Sequence, residues 1–242
     1  KDDTVLIPDM YWGNYKLIFS VVHNAKVCTF KFFDDNYRFN VKAMEEACEK
    51  IDGKIVLLLN FPNNPTGYSP STEEHKKIVE ALVRQADKGK DILVICDDSY
   101  FGLFFEGDID NQSIFASLCD AHDNILSVKI DGATKEELVW GFRTGFITYG
   151  GKSLDASAIS VLEKKTMGAI RSTVSSCSTI SQNIILKGMR SITYHQEKAA
   201  IAAKMKGRYL QVKKAVSNIP KDVPLIPLPF NSGYFMTFAV QR

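Results

Sequence analysis

Residues 55–100 read IVLLLNFPNNPTGYSPSTEEHKKIVEALVRQADKGKDILVICDDSY. Ile55–Asn60 is a near-continuous apolar strand, Ser71–Lys88 a helix and Ile92–Cys96 a second apolar strand. The helix opens on a capping box, Ser71 with Glu74, and Gly89 follows its end. Strands this apolar are buried on both faces, and their alternation with helices points to an α/β fold built on a mostly parallel sheet. Ligands of such sheets bind outside the carboxyl ends of the strands. Asn64 lies in the loop leaving the first strand, and Asp97 caps the second.

The same alternation continues on both sides. Thr4–Ile7 reads as a strand, Asn14–Val22 as a short helix and Val41–Lys50 as another helix, while Lys26–Phe33 is rich in β-branched and aromatic residues. Downstream, Asn124–Lys129 and Phe146–Tyr149 read as strands and Leu154–Ala169 as helix. Helical periodicity runs from Ser181 to about Val216, with Gly188 and Gly207 as weak points. Pro220–Pro229 is a connector, and Tyr234–Val240 alternates like a strand.

Composition sets limits. The 242 residues are 45% hydrophobic and 24% charged, ordinary for a globular protein with a large core. The net charge is +2, and the basic residues are scattered, which leaves no electrostatic footprint for nucleic acid. No apolar run approaches the ~20 residues of a membrane helix, and no signal-peptide pattern opens the chain. Cys28, Cys48, Cys96, Cys119 and Cys177 are far apart and show no metal or redox spacing, so reduced thiols in a cytoplasmic protein are expected. His23, His75, His122 and His195 are equally dispersed and receive no role.

Three positions that follow apolar strands carry distinctive chemistry: Asn64 in Asn63-Asn-Pro-Thr-Gly67, Asp97 with Tyr100 in Asp97-Asp-Ser-Tyr100, and Lys135 in Asp131-Gly-Ala-Thr-Lys135. Arg143 follows in Trp140-Gly-Phe-Arg-Thr-Gly145. A lysine can form an imine, a carboxylate can hold a ring nitrogen protonated, a phenol and an amide can share a ring hydroxyl, and a guanidinium can grip a phosphate bidentately. In this order and setting the residues resemble the pyridoxal-phosphate enzymes of fold type I, specifically the class I/II aminotransferases related to aspartate aminotransferase.

The resemblance implies a three-layer α/β sandwich with a mostly parallel sheet, in which Phe146–Tyr149 is antiparallel. It implies a large coenzyme domain over residues 1–204 and the start of a small C-terminal α+β domain over 205–242. It further implies pyridoxal 5'-phosphate as cofactor, amino acids and 2-oxo acids as substrates, and a homodimer, with no nucleic-acid or membrane partner.

By the same resemblance Lys135 holds the cofactor as an imine and moves the proton. Asp97 faces the pyridine nitrogen, Tyr100 and Asn64 hydrogen-bond the ring oxygen, and Arg143 with the Thr134 hydroxyl takes the phosphate. Trp12, in Tyr11-Trp-Gly-Asn-Tyr15, stacks on the ring, with Tyr11 the nearest rival. Arg171 falls where some relatives read a substrate's distal carboxylate across the dimer, although a solvated helix-end arginine fits as well.

One position departs from the aspartate-aminotransferase pattern: Gly132 stands where that pattern has a serine, three residues before the lysine. The family's glycine-rich phosphate loop is expected upstream of Lys1 and its α-carboxylate arginine downstream of Arg242. This stretch alone is therefore expected to be a poor catalyst. A carbon–sulfur lyase of the same fold and a non-catalytic regulatory domain are the alternative functions.

Overall fold

A six-stranded sheet in the order β2-β1-β3-β4-β5-β6 organises the computed structural model, which describes residues 3–240. Lys1, Asp2, Gln241 and Arg242, the outer ends of the two expected domains, lie outside the described residues. The elements are β1 (Thr4–Pro8), α1 (Asn14–Lys16), β2 (Lys26–Phe30), α2 (Val41–Glu49), β3 (Ile55–Asn60), α3 (Thr72–Asp87), β4 (Ile92–Asp97) and α4 (Ile114–Leu118). They continue as β5 (Ile125–Gly132), α5 (Ala133–Glu136), β6 (Gly145–Gly150), α6 (Ala156–Thr173), α7 (Thr179–Met189) and α8 (Tyr194–Ser217). A separate two-stranded antiparallel sheet pairs β7 (Leu225–Pro227) with β8 (Phe238–Val240). Neighbours among β1 to β5 run parallel, and β6 runs antiparallel to β5, as expected for the segment around Phe146–Tyr149.

Side-chain alternation explains why the central strands are apolar throughout. Leu6, Ile55, Leu57 and Leu59 point to one face, where Met44 and Cys48 of α2 and Ile78 and Leu82 of α3 cover them. Val5, Ile7, Val56 and Leu58 point to the other, against Tyr15 and Phe19. A strand buried on both faces has no position left for a solvated side chain. The capping box forms as read: the Glu74 N–H donates to Ser71 Oγ at 3.3 Å, and the Ser71 N–H donates to Glu74 Oε2 at 2.8 Å. Glu74 is also buried, accepting from the Phe39 N–H at 2.8 Å and the Tyr68 hydroxyl at 2.7 Å.

Several expected boundaries move. The helix over Asn14–Val22 is α-helical only to Lys16 and continues as a π-turn over Leu17–Val22. In the β-branched and aromatic stretch Lys26–Phe33, for which the sequence alone specifies no element, Lys26–Phe30 is strand, and Phe32 and Phe33 join a buried aromatic cluster with Phe39 and Tyr68. The strand expected over Asn124–Lys129 extends to Gly132, held by its pairing with β6. The long helical stretch divides at Arg190–Thr193 into α7 and α8, and Gly207 lies inside an unbroken α8. Only Phe238–Val240 of the Tyr234–Val240 segment is strand, because residues 231–236 pack instead against the Gly67 loop and the 103–105 segment.

Candidate active site

Asn60, Asp97 and Ile130 lie side by side, since Asn60 is in register with Asp97 and Asp97 with Ile130. The carboxyl ends of β3, β4 and β5 therefore open at one place. A cleft of about 460 Å³ lies there, lined by Trp12, Tyr15, Asn64, Asp97, Tyr100 and Lys135, and also by Thr134 and Arg143. That volume is within the roughly 300–1,000 Å³ of small-molecule sites.

Asp97 is fixed by its neighbours. Ser99 donates its N–H at 3.1 Å and its hydroxyl at 2.6 Å to Asp97 Oδ1, and the Tyr15 hydroxyl donates to Oδ2. Asn60 Nδ2 donates to the Asp97 carbonyl at 2.8 Å, and Asn60 Oδ1 accepts from the Asn64 N–H at 2.8 Å, which couples two strand ends. Burial, reinforced by the Asp97 carboxylate, pushes the Tyr15 phenol far above its ordinary range. Tyr15 consequently stays a neutral donor to Asp97. Asp98, one residue out of phase, turns away into the protein, as alternation along a strand requires.

The Asn-Pro-Thr-Gly loop is built for close approach. Gly67 has φ +70°, and a Cβ there would lie 1.9 Å from the Phe235 carbonyl oxygen. The Gly67 carbonyl accepts the N–H groups of Asn231 and Ser232, each at 2.9 Å, and Thr237 Oγ1 donates to the Pro65 carbonyl at 2.8 Å. Asn64 and Tyr100 both line the cleft. Burial raises the Tyr100 phenol, the Asn64 amide opposes this, and Asp97 and Tyr234 add to it.

Lys135 sits on α5, the single helical turn directly after β5, and its Nζ lies 4.8 Å from the centre of the Tyr100 ring. Arg143 adopts φ +52°, ψ +40°, a left-handed conformation that costs a non-glycine residue free energy and clusters at functional sites. Gly132 pairs with Gly145, and a Cβ at Gly145 would lie 3.1 Å from the Asp131 carbonyl, so β5 and β6 close tightly beneath the cleft.

The profile of the family described as Aminotransferase class I and II matches residues 1–239. The chain belongs to the class I and II aminotransferases. It is 28% identical over 193 residues to the probable aspartate/prephenate aminotransferase of Rickettsia bellii, an alignment covering 79% of this chain and 44% of that one. To the cytoplasmic aspartate aminotransferase of Caenorhabditis elegans it is 32% identical over 107 residues, covering 43% and 25%. The crystal structure of an aminotransferase from Anaerococcus prevotii superposes with a TM-score of 0.84 at 26% identity, over 98% of this chain and 58% of that one. The chain thus spans about half the length of such relatives. Its three-layer α/β fold is theirs, and aspartate-aminotransferase-like members of the family use pyridoxal phosphate.

In this aminotransferase chain Trp12, Asn64, Asp97, Tyr100, Thr134, Lys135 and Arg143 all border the one cleft. Tyr11 packs against the second core cluster instead. Arg171 is not among the lining residues; it is exposed on α6 and donates to Ser175 Oγ at 2.5 Å. Sequence reasoning passed over Tyr15, Ser99 and Asn60. The available signals were a second aromatic within Trp12-Gly-Asn-Tyr15 and a polar residue ending an apolar strand.

Proposed function

We propose that this cleft holds pyridoxal 5'-phosphate and that the protein to which the chain belongs is an aminotransferase moving an amino group between an amino acid and a 2-oxo acid. The observation that supports this most is that Lys135 and Asp97, on different strand ends, line one cleft with an aromatic ring at Trp12 and a guanidinium at Arg143. The donor set fits the coenzyme: one nucleophilic amine, one carboxylate with both oxygens already oriented, and one cation with a neighbouring hydroxyl at Thr134. When bound, the coenzyme supplies a carbonyl for the amino group and a ring that stores electrons.

Each residue has a task. Lys135 offers the nitrogen nucleophile and carries the substrate proton, a role that typically contributes about 10²–10⁴-fold in rate. Asp97, oriented by Ser99 and Tyr15, would keep the ring nitrogen protonated. Asn64 and Tyr100, which line the same cleft, would share the ring oxygen. Arg143 and Thr134 would take the phosphate, and Trp12 would cover the ring.

The large-domain boundary near residue 204 is supported by the two separate sheets, with the junction inside α8. Family membership supports a homodimer, in which Arg171 would act from outside its own chain's cleft. The name of the nematode relative supports a cytoplasmic protein, and among the described residues no helix is long and apolar enough to cross a membrane. The test is made on two samples of the coenzyme-loaded protein, one reduced with borohydride and the other, unreduced, exposed to an amino acid alone. Wild type should trap the coenzyme on Lys135 in the first and convert it from aldehyde to amine form in the second. A Lys135→Ala protein that still forms a reducible protein linkage would refute the assignment.

A further inference from the structure

Two side-chain clamps of the same design hold α8 to the rest of the chain. In the first, Glu137 accepts from the Tyr194 hydroxyl at 2.8 Å and from Lys198 Nζ at 2.7 Å. Lys198 also donates to the Tyr194 hydroxyl at 3.0 Å and lies 5.4 Å from the centre of its ring. In the second, about four turns further on, Glu106 accepts from the Tyr209 hydroxyl and from Lys213 Nζ. Lys213 donates to the Tyr209 hydroxyl at 3.0 Å and lies 5.5 Å from that ring's centre. Each tyrosine–lysine pair is spaced i, i+4 and so shares one helix face.

Among the described residues little of α8 is buried, and its main apolar contact is Tyr209 against Phe105 and Phe230. Tyr209 is its one buried residue, and cavities of about 280 Å³ and 220 Å³ run along it, both bordered by Met205. The clamps are polar attachments that tie the helix to the segments carrying Glu137 and Glu106.

The two glutamates differ in what they are attached to. Glu106 stands in a loop outside the cleft lining. Glu137 caps α5 two residues after Lys135, and its N–H donates to the Ala133 carbonyl at 3.0 Å. Leu138, the next residue, is held at φ +55°, a strained conformation that persists only where surrounding contacts over-determine it. Lys135 borders both the cleft and the 280 Å³ cavity that Glu137, Tyr194 and Lys198 also line. From the front, the Tyr234 hydroxyl reaches the Lys135 carbonyl at 3.4 Å.

We propose that Glu137, gripped by Tyr194 and Lys198, is a positioning residue for Lys135, so that the seating of α8 sets where the amine stands in the cleft. This rests on the reading of Lys135 given above. Burial lowers the Lys198 ammonium while its bonds to Glu137 and Tyr194 raise it, with a net upward shift that keeps this ammonium charged.

The test compares Glu137→Gln with Glu106→Gln in the full-length protein. Both variants loosen the same helix from the same kind of clamp and should lose similar thermal stability. Glu137→Gln alone should lower kcat about tenfold or more with KM little changed, since small misplacements of a reacting group are costly. It alone should also shift the pH midpoint of the lysine-bound coenzyme absorption and speed hydrogen exchange at the residue 137 amide in the coenzyme-free protein. Tyr194→Phe, which removes one hydroxyl, should move the same midpoint in the same direction and serves if Glu137→Gln does not fold. Equal effects of the two glutamine variants, or an unmoved midpoint and exchange rate in Glu137→Gln, would overturn the proposal. A wild-type protein without lysine-bound absorption would overturn the underlying reading, while the exchange measurement would still judge the clamp.

Discussion

Replacing Gly132 with serine should strengthen coenzyme binding. Gly132 has φ −150°, ψ 127°, an extended backbone that any residue adopts, and a Cβ there would meet only the Thr144 carbonyl oxygen, at 4.0 Å. The side chain therefore fits without rearrangement, and it adds a hydroxyl beside Thr134 and Arg143 at the proposed phosphate end of the cleft. A hydrogen bond to a charged group contributes about 1.5–3 kcal/mol. Ordering the new side chain offsets part of that, leaving on the order of 1–2 kcal/mol, or roughly five- to thirtyfold in Kd. Gly132→Ala is the control, because it shares the loss of unfolded-state freedom, about 0.4–1 kcal/mol of stability, without the hydroxyl. Quenching of tryptophan fluorescence would report Kd for pyridoxal phosphate and for pyridoxal, which lacks the phosphate. The serine variant should tighten the first and not the second; the alanine variant should change neither. Equal Kd values for the serine and alanine variants, or equal tightening of pyridoxal, would refute the reasoning.

Two further outcomes concern stability. Asp98 is buried, its Oδ2 has no hydrogen-bond partner among the described residues, and Lys129 Nζ stands 3.8 Å away. Burial pushes its carboxyl up to about 7, partly opposed by Ser113 and Lys129. The native state thus holds this proton more tightly than the unfolded chain, whose carboxyl titrates near ~3.9, and the associated stability is lost as pH rises from about 4 through about 7. Asp98→Asn should exceed wild type at pH 8 by a few kcal/mol, to order of magnitude, and match it near pH 4; parallel urea-denaturation profiles across that window would contradict this. Glu74→Ala leaves the N–H groups of Phe39 and Ser71 and the Tyr68 hydroxyl without their buried acceptor. A loss of about 3–5 kcal/mol is expected, against about half that for Glu74→Gln; equal urea midpoints for the two variants would show that the acceptors do not matter.

The legible parts of the sequence were those governed by local chemistry. The β3–α3–β4 unit followed from strand apolarity and the Ser71–Glu74 box, which act within a few residues of one another. That Asn64, Asp97 and Lys135 share a cleft was legible because strand ends in parallel sheets converge, whereas Trp12, Thr134 and Arg143 came only with the family resemblance. Tyr15 was not legible, since its partner Asp97 lies 82 positions away and only folding brings the phenol to that carboxylate. The division between α7 and α8 was legible in part: Gly188, one of the two weak points, lies one residue before the end of α7, whereas Gly207 sits unbroken inside α8.

Order and periodicity along the chain were sufficient for the parallel α/β framework, because burial on two faces leaves a pattern that any window of the sequence displays. The contacts that hold the cleft and its surroundings in place were decided in three dimensions. Strand register set Asn60 beside Asp97, the 231–236 segment closed over Gly67, and Glu137 met Tyr194 and Lys198 across 57 and 61 positions. Contacts over such separations depend on how whole elements pack, and no local pattern encodes them.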